Sequence, residues 1–146
     1  MEKIIMYTDG SCLKNPGRGG WAAILIHGKK TKEISGSENN STNNRMELMA
    51  MIKGLEALKI ICDAHIYSDS AYVINAFEKD WITSWQKNNW RTSTKKEVLN
   101  LDLWKRLIAL TEKHRVTFHK VKGHSDNELN NKCDILARTA ASQLPE

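Results

Sequence analysis

Lys3-Ile4-Ile5-Met6-Tyr7-Thr8-Asp9-Gly10-Ser11 opens the chain. Ile, Tyr and Thr favour a pleated surface, so the stretch predicts a strand over Lys3–Ser11. Its last residues do not fit that role. Asp is depleted in strands, so Asp9 either starts a turn with Gly10 or serves a site. His65-Ile66-Tyr67-Ser68-Asp69 repeats the pattern later, with an apolar run that ends in a carboxylate. There the plain reading of Asp69 is a cap on the helix that follows.

Outward from Lys3–Ser11, a glycine-rich turn is predicted at Pro16–Gly20, a strand at Trp21–His27, a hairpin turn at His27–Lys30 and a more polar strand at Thr31–Ser37. Short connections make these three strands an antiparallel meander. The period then changes: Leu48, Met51, Ile52, Leu55 and Leu58 recur at helical spacing within Asn43–Lys59. Ala64–Ser68 reads as a strand and Ser70–Phe77 as a helix. Asn100 is a candidate cap for a helix carrying Leu101, Trp104 and Ile108. Val116–His119 is the last strand, and Asn127–Ser142 the last helix, striped by Leu129, Cys133, Leu136 and Ala140. Strand–helix–strand segments pair in parallel. The expected fold is therefore α/β: a five-stranded mixed sheet, three antiparallel strands plus two parallel ones, with helices on both faces. Two strand-end carboxylates on neighbouring parallel strands would project at one edge of that sheet, where open α/β sheets place ligands.

At 146 residues the chain is read as a single domain over 1–146, long enough for a substantial core. Lys and Arg number 22 against 17 Asp and Glu, a formal charge of +5 that is compatible with a polyanionic partner. The early apolar run Ile4–Tyr7 is too short for a signal segment or a membrane span. Three dispersed cysteines without a Cys-x-x-Cys pair predict neither a disulfide framework nor a zinc site. A cytoplasmic monomer with no membrane association and no obligate protein partner is expected.

Two further acids complete the set. Glu47 lies on the helix face that carries Met51 and Leu55; alone, it would complete a capping box with Asn44 as N-cap. Asp134 follows Cys133 on the last helix and alone would be a solvated residue. Together the four pose an electrostatic problem. Two like charges ~4 Å apart repel by about 4 kcal/mol at an effective dielectric near 20, so a converged quartet needs protons or a cation. Oxygen-only ligands favour Mg²⁺ or Mn²⁺, and two such ions suit in-line displacement at a phosphodiester.

These residues also carry a resemblance. Tyr7-Thr8-Asp9-Gly10-Ser11, Asn43-Asn44-Arg45-Met46-Glu47-Leu48, Tyr67-Ser68-Asp69-Ser70, Val121-Lys122-Gly123-His124 and Cys133-Asp134 resemble, in order and in spacing, the bacterial type 1 ribonuclease H family. The resemblance implies a ribonuclease H-like fold and a hydrolase that cuts the RNA strand of RNA/DNA hybrids endonucleolytically, leaving 5′-phosphate and 3′-hydroxyl ends. It implies two Mg²⁺ ions, with Mn²⁺ as a substitute, held by Asp9, Glu47, Asp69 and Asp134. Asp9 would bridge the ions, and Glu47 would also sense a ribose 2′-OH. His124 matches a mobile histidine that aids proton transfer or product release, and Asn130 a residue that supports the acids. Cys12, Asn15, Asn43 and Asn44 match positions that touch the hybrid's minor groove. Thr42 and Asn100 match a pocket for a DNA-strand phosphate, in which many relatives carry an Arg where this chain has Asn40.

Residues 79–96 combine five cations, Lys87 among them, with one Asp and with Trp81, Trp85 and Trp90. A helix packing its tryptophans inward and a basic protrusion that rides on the DNA strand, with Trp81 and Trp85 against sugars, are equally open readings. Two alternatives to the hydrolase remain: a related nuclease of the same fold, and a non-catalytic nucleic-acid-binding module. The acidic quartet speaks against the latter, because carboxylates repel phosphates.

Overall fold

The computed structural model describes residues 1–122 and 127–143. Five strands, β1 (Glu2–Cys12), β2 (Gly17–His27), β3 (Lys30–Ser41), β4 (Cys62–Ser68) and β5 (Arg115–Lys120), form one sheet in the order β3-β2-β1-β4-β5. β1 pairs antiparallel with β2, and β2 with β3; β4 pairs in parallel with β1 and with β5. The sheet is therefore mixed, as the sequence predicts. The first three strands are longer than predicted. The glycines read as a turn are part of β2: Gly19 and Gly20 pair with Cys12 and Ser11, and the ladder shifts register between Gly17 and Gly19.

The helices are α1 (Asn43–Glu56), α2 (Ala71–Glu78), α3 (Trp81–Lys87), α4 (Leu101–Lys113) and α5 (Glu128–Ser142). Alternation along β1 sends Ile4 and Met6 into the main core with Leu48, Met51, Ile52 and Leu55 of α1, Ile66 of β4 and Leu103, Trp104 and Leu107 of α4. Each such side chain contributes roughly 1.5–3 kcal/mol by leaving water. The opposite face holds a smaller cluster, in which Ala22 and Ile24 meet Cys133 and Ala137 of α5 beside Tyr7. Helices thus cover both faces.

Small residues let the α5 layer close. A Cβ on Gly20 would overlap the Ala137 carbonyl oxygen, so glycine there lets α5 lie directly on β2. The Cys133 thiol is fully buried beneath it, with Sγ 3.2 Å from the Ala22 carbonyl oxygen. Burial pushes that thiol well above its ordinary range.

The helix starts decide three capping readings. Thr42 caps α1: its Oγ1 accepts from the Arg45 amide, so Asn44 and Glu47 form no capping box. Ser70, not Asp69, caps α2 through the Val73 amide. Asn100 stands at the N-cap of α4 with a left-handed backbone (φ 62°) and makes no side-chain cap bond. In the first two cases a neighbouring hydroxyl does the capping, and the carboxylate is left for another purpose.

Candidate active site

β1 and β4 run in parallel with Tyr7 opposite Tyr67, so Asp9 and Asp69 leave the same end of the sheet side by side. Glu47 enters from α1, and close packing brings it there. Gly10 faces the Met46 backbone, where a Cβ would overlap the Met46 carbonyl; with glycine in place, the Gly10 amide donates to Glu47 Oε1 at 2.6 Å. Oxygens of Asp9, Glu47 and Asp69 all lie within 4.8 Å of one another. Asp134 of α5 hydrogen-bonds Asp9 but stands outside that set of three, and its Oδ2 is ion-paired with Arg138 one turn along α5.

The electrostatics match the geometry. Asp9 is only 6% exposed. Burial raises its pKa to about 10, helped by Glu47 and Asp69. Burial likewise raises Glu47 to about 7, against the opposing pull of hydrogen bonds from Asp9, the Gly10 amide and the Ser70 hydroxyl. Without a cation these acids hold protons that ordinary carboxylates release. Converging, oxygen-only and short of positive charge, the set fits one or more hard divalent ions.

The expected minor-groove residues form one linked edge beside Asp9. The Cys12 amide donates to Asn43 Oδ1 at 2.7 Å, and the Asn43 amide to Asn15 Oδ1 at 3.2 Å. Asn44 is exposed in the first turn of α1. Asn130 lies one turn before Asp134, is 3% exposed, and its Oδ1 has no hydrogen-bond partner among the described residues. His124 lies outside the described residues.

Thr42 and Asn100 are brought together by a residue the sequence reading passed over. Arg45 makes two 3.0 Å bonds to the Asp102 carboxylate and a 3.4 Å bond to Asn100 Oδ1. Asn100 Nδ2 and Trp104 Nε1 both donate to the Tyr72 hydroxyl, at 3.1 and 3.0 Å. Ser70 was likewise missed as a partner of Glu47. Its N-cap role is legible from its type and place; its reach to a residue 23 positions upstream is not.

The protrusion divides between its two readings. Trp85 is half-buried and meets Trp104 edge-on at 5.3 Å, so it packs inward. Trp81, at 39% exposure, stays at the surface with Lys79 over its ring, and Lys87 is exposed. Trp81, Trp85 and Tyr72 line a cleft of about 570 Å³ that is open to solvent.

A mixed sheet with an acidic centre at the carboxyl end of two parallel strands defines a metal-dependent nuclease fold. The comparisons name it. The sequence profile described as RNase H matches residues 1–142. The chain is 58% identical over 144 residues to Ribonuclease H of Chlorobaculum parvum, covering 98% of this chain and 99% of that one. It is 54% identical over 144 residues to Ribonuclease H of Caldicellulosiruptor saccharolyticus, covering 99% of each. Among solved structures it is similar to LC9-RNase H1, a type 1 RNase H, with TM-score 0.87 and 24% identity over 97% of this chain and 73% of that one. It is also similar to LC11-RNase H1, solved in complex with RNA/DNA hybrid, with TM-score 0.73 and 21% identity over 96% and 97% of the two chains. This chain belongs to the ribonuclease H family.

Proposed function

We propose that this chain is an endonuclease that hydrolyses the RNA strand of RNA/DNA hybrids, using two Mg²⁺ ions held by Asp9, Glu47, Asp69 and Asp134 and leaving 5′-phosphate and 3′-hydroxyl ends. The observation that carries the reading is the convergence of Asp9, Glu47 and Asp69 oxygens within 4.8 Å, in a chain of this family. The relatives named Ribonuclease H and the neighbour solved with a hybrid support the substrate.

When bound, divalent ions supply charge neutralisation and a nucleophile at neutral pH. The chain supplies placement. Asp9 sits centrally, within reach of both Glu47 and Asp134. Glu47 has Oε1 committed to the Gly10 amide, which fixes its rotamer and leaves its remaining lone pairs for a metal and a ribose 2′-OH. Asn43, Asn15 and Cys12 form a preorganised polar edge for the minor groove. Thr42, Arg45 and Asn100 offer a hydroxyl, a guanidinium and an amide to one backbone phosphate. Lys87 and Trp81 extend the grip along the DNA strand. His124 is assigned proton transfer or product release, and Asn130 support of the acids. Mn²⁺ is a substitute of the same ligand preference. The enzyme is assigned to the cytoplasm as a single domain over residues 1–146.

The test uses a labelled RNA/DNA hybrid, the matching RNA duplex and the DNA duplex, each with Mg²⁺ or with chelator. Loss of the hybrid's RNA strand alone, only with Mg²⁺, is expected. Cutting that survives chelator, or cutting of duplex DNA, contradicts the reading.

A further inference from the structure

β4 and β5 carry a second cluster of metal-ligating side chains, on the sheet face turned away from the main core. Cys62, Ala64 and Ile66 of β4 point into that core, so Asp63, His65 and Tyr67 point the other way. α5 packs chiefly on β1, β2 and β3. His65 lies opposite Thr117, and His119 opposite Tyr67, which makes the two histidines diagonal neighbours.

Their geometry is specific. His65 Nδ1 and His119 Nε2 are 2.9 Å apart. The ring centroids are 5.2 Å apart with 23° between planes. With the nitrogens so much closer than the centroids, the rings meet edge to edge, nitrogen to nitrogen, and do not stack face to face. One N–H therefore bridges the pair, and one lone pair faces it. On the far side of the ring, His65 Nε2 lies 3.5 Å from Asp63 Oδ2. A carboxylate there favours the proton on Nε2 and leaves Nδ1 as the lone pair. Tyr67 stacks on His119 at 4.5 Å and 12°. Both histidines are partly exposed, so an ion has a path in.

We propose that His65 and His119 form a binding site for a borderline divalent ion such as Zn²⁺, Ni²⁺ or Cu²⁺, separate from the carboxylate centre, with Asp63 orienting His65. Imidazole–metal bonds of about 2.0–2.1 Å place two adjacent ligand nitrogens roughly 2.9–3.4 Å apart, the spacing already present. The ion takes the bridging position once both rings tilt toward solvent: the His119 proton passes from Nε2 to Nδ1 through solvent, so that His119 ligates through Nε2 as a neutral ring, and water completes the shell. Nitrogen ligands favour these ions strongly over Mg²⁺, and a large excess of Mg²⁺ keeps the oxygen-only quartet supplied with its own suitable ion. Burial, with His65 and Lys3 nearby, lowers the pKa of His119 and keeps its ring neutral, as a ligand must be. Asp63 Oδ1 is buried with no hydrogen-bond partner among the described residues, so this carboxylate has bonding capacity to spare. Because the ion would bridge β4 and β5, binding should raise the melting temperature.

The experiment titrates Zn²⁺ into the full chain in excess Mg²⁺, with calorimetry for stoichiometry and Cu²⁺-induced NMR line broadening in the wild-type protein for location. Expected are one Zn²⁺ per chain, a higher melting temperature, and broadening centred on His65, His119 and Tyr67. His65→Gln and His119→Gln should each weaken binding by at least roughly tenfold while Mg²⁺-dependent cleavage is unchanged. Asp9→Asn should leave Zn²⁺ binding intact. Zn²⁺ binding that survives in the doubly substituted His65→Gln, His119→Gln protein overturns the assignment. So does broadening centred on Asp9 and Asp69, or the absence of any Zn²⁺ binding by the wild type.

Discussion

The Gly10 amide donates to Glu47 Oε1 at 2.6 Å, across a gap in which no side chain fits. That bond joins the strand carrying Asp9 to the helix carrying Glu47, so the relative positions of these two carboxylates depend on one missing Cβ. Gly10→Ala should push α1 away from β1. The expected cost is at least about 1–3 kcal/mol, the usual range for overpacking, because the obstacle is backbone. Urea denaturation measures the stability loss, and hybrid cleavage should fall by more than the folded fraction does.

Asp9 binds its proton more tightly in the folded than in the unfolded chain, since its pKa rises from 3.8 to about 10. The folded state therefore holds the extra proton across that window, and without metal the protein should lose stability as pH rises through it. Mg²⁺ should offset the loss. Asp9→Asn should raise the melting temperature in chelator by a few degrees, on the order of 1 kcal/mol, and flatten the pH dependence. Thermal melts at several pH values, with and without Mg²⁺, check both the sign and the rescue.

His114 works in the opposite sense. It is buried, its Nδ1 accepts from the Cys62 amide at 3.1 Å, and burial lowers its pKa below the ordinary 6.5. The unfolded chain takes up this proton first, so the stabilisation is complete above 6.5 and is lost as pH falls toward the depressed folded value. In saturating Mg²⁺, wild-type stability should drop between about pH 8 and about pH 5, and His114→Asn should drop less. Urea midpoints at the two pH values decide this.

Arg45 is held against Asp102 and Asn100 beside the α1 cap. If it contacts a phosphate, Arg45→Ala should weaken hybrid binding several-fold and reduce the slope of log affinity against log salt by about one, with kcat little changed. Binding isotherms at several salt concentrations separate this from a purely structural role, which leaves the slope alone.

The sheet was legible because β1, β2, β4 and β5 follow apolar runs whose lengths and connections leave few topologies. Gly17, Gly19 and Gly20 read as a turn because glycine in a strand looks like punctuation; that Gly20 admits α5 and Gly19 the Met46 side chain is a tertiary fact. Asp9 and Asp69 stand out because a carboxylate that ends an apolar run is anomalous, and Glu47 because it shares an apolar helix face; only the family pattern joins Asp134, in the middle of the last helix, to them. The plain cap readings of Asn44 and Asp69 do not hold because the nearby Thr42 and Ser70, equally good cap formers, take those places. The Arg45–Asp102 pair spans 57 positions, and local periodicity carries no signal for it.

The most direct test compares wild type with Asp9→Asn on one RNA/DNA hybrid in Mg²⁺, measuring binding and RNA cleavage on the same samples. Binding should stay within a few-fold while cleavage falls by roughly a thousandfold or more, a loss of at least about 4 kcal/mol of transition-state stabilisation. Cleavage by Asp9→Asn near the wild-type rate would contradict the assignment of Asp9, Glu47, Asp69 and Asp134 as the metal-holding centre.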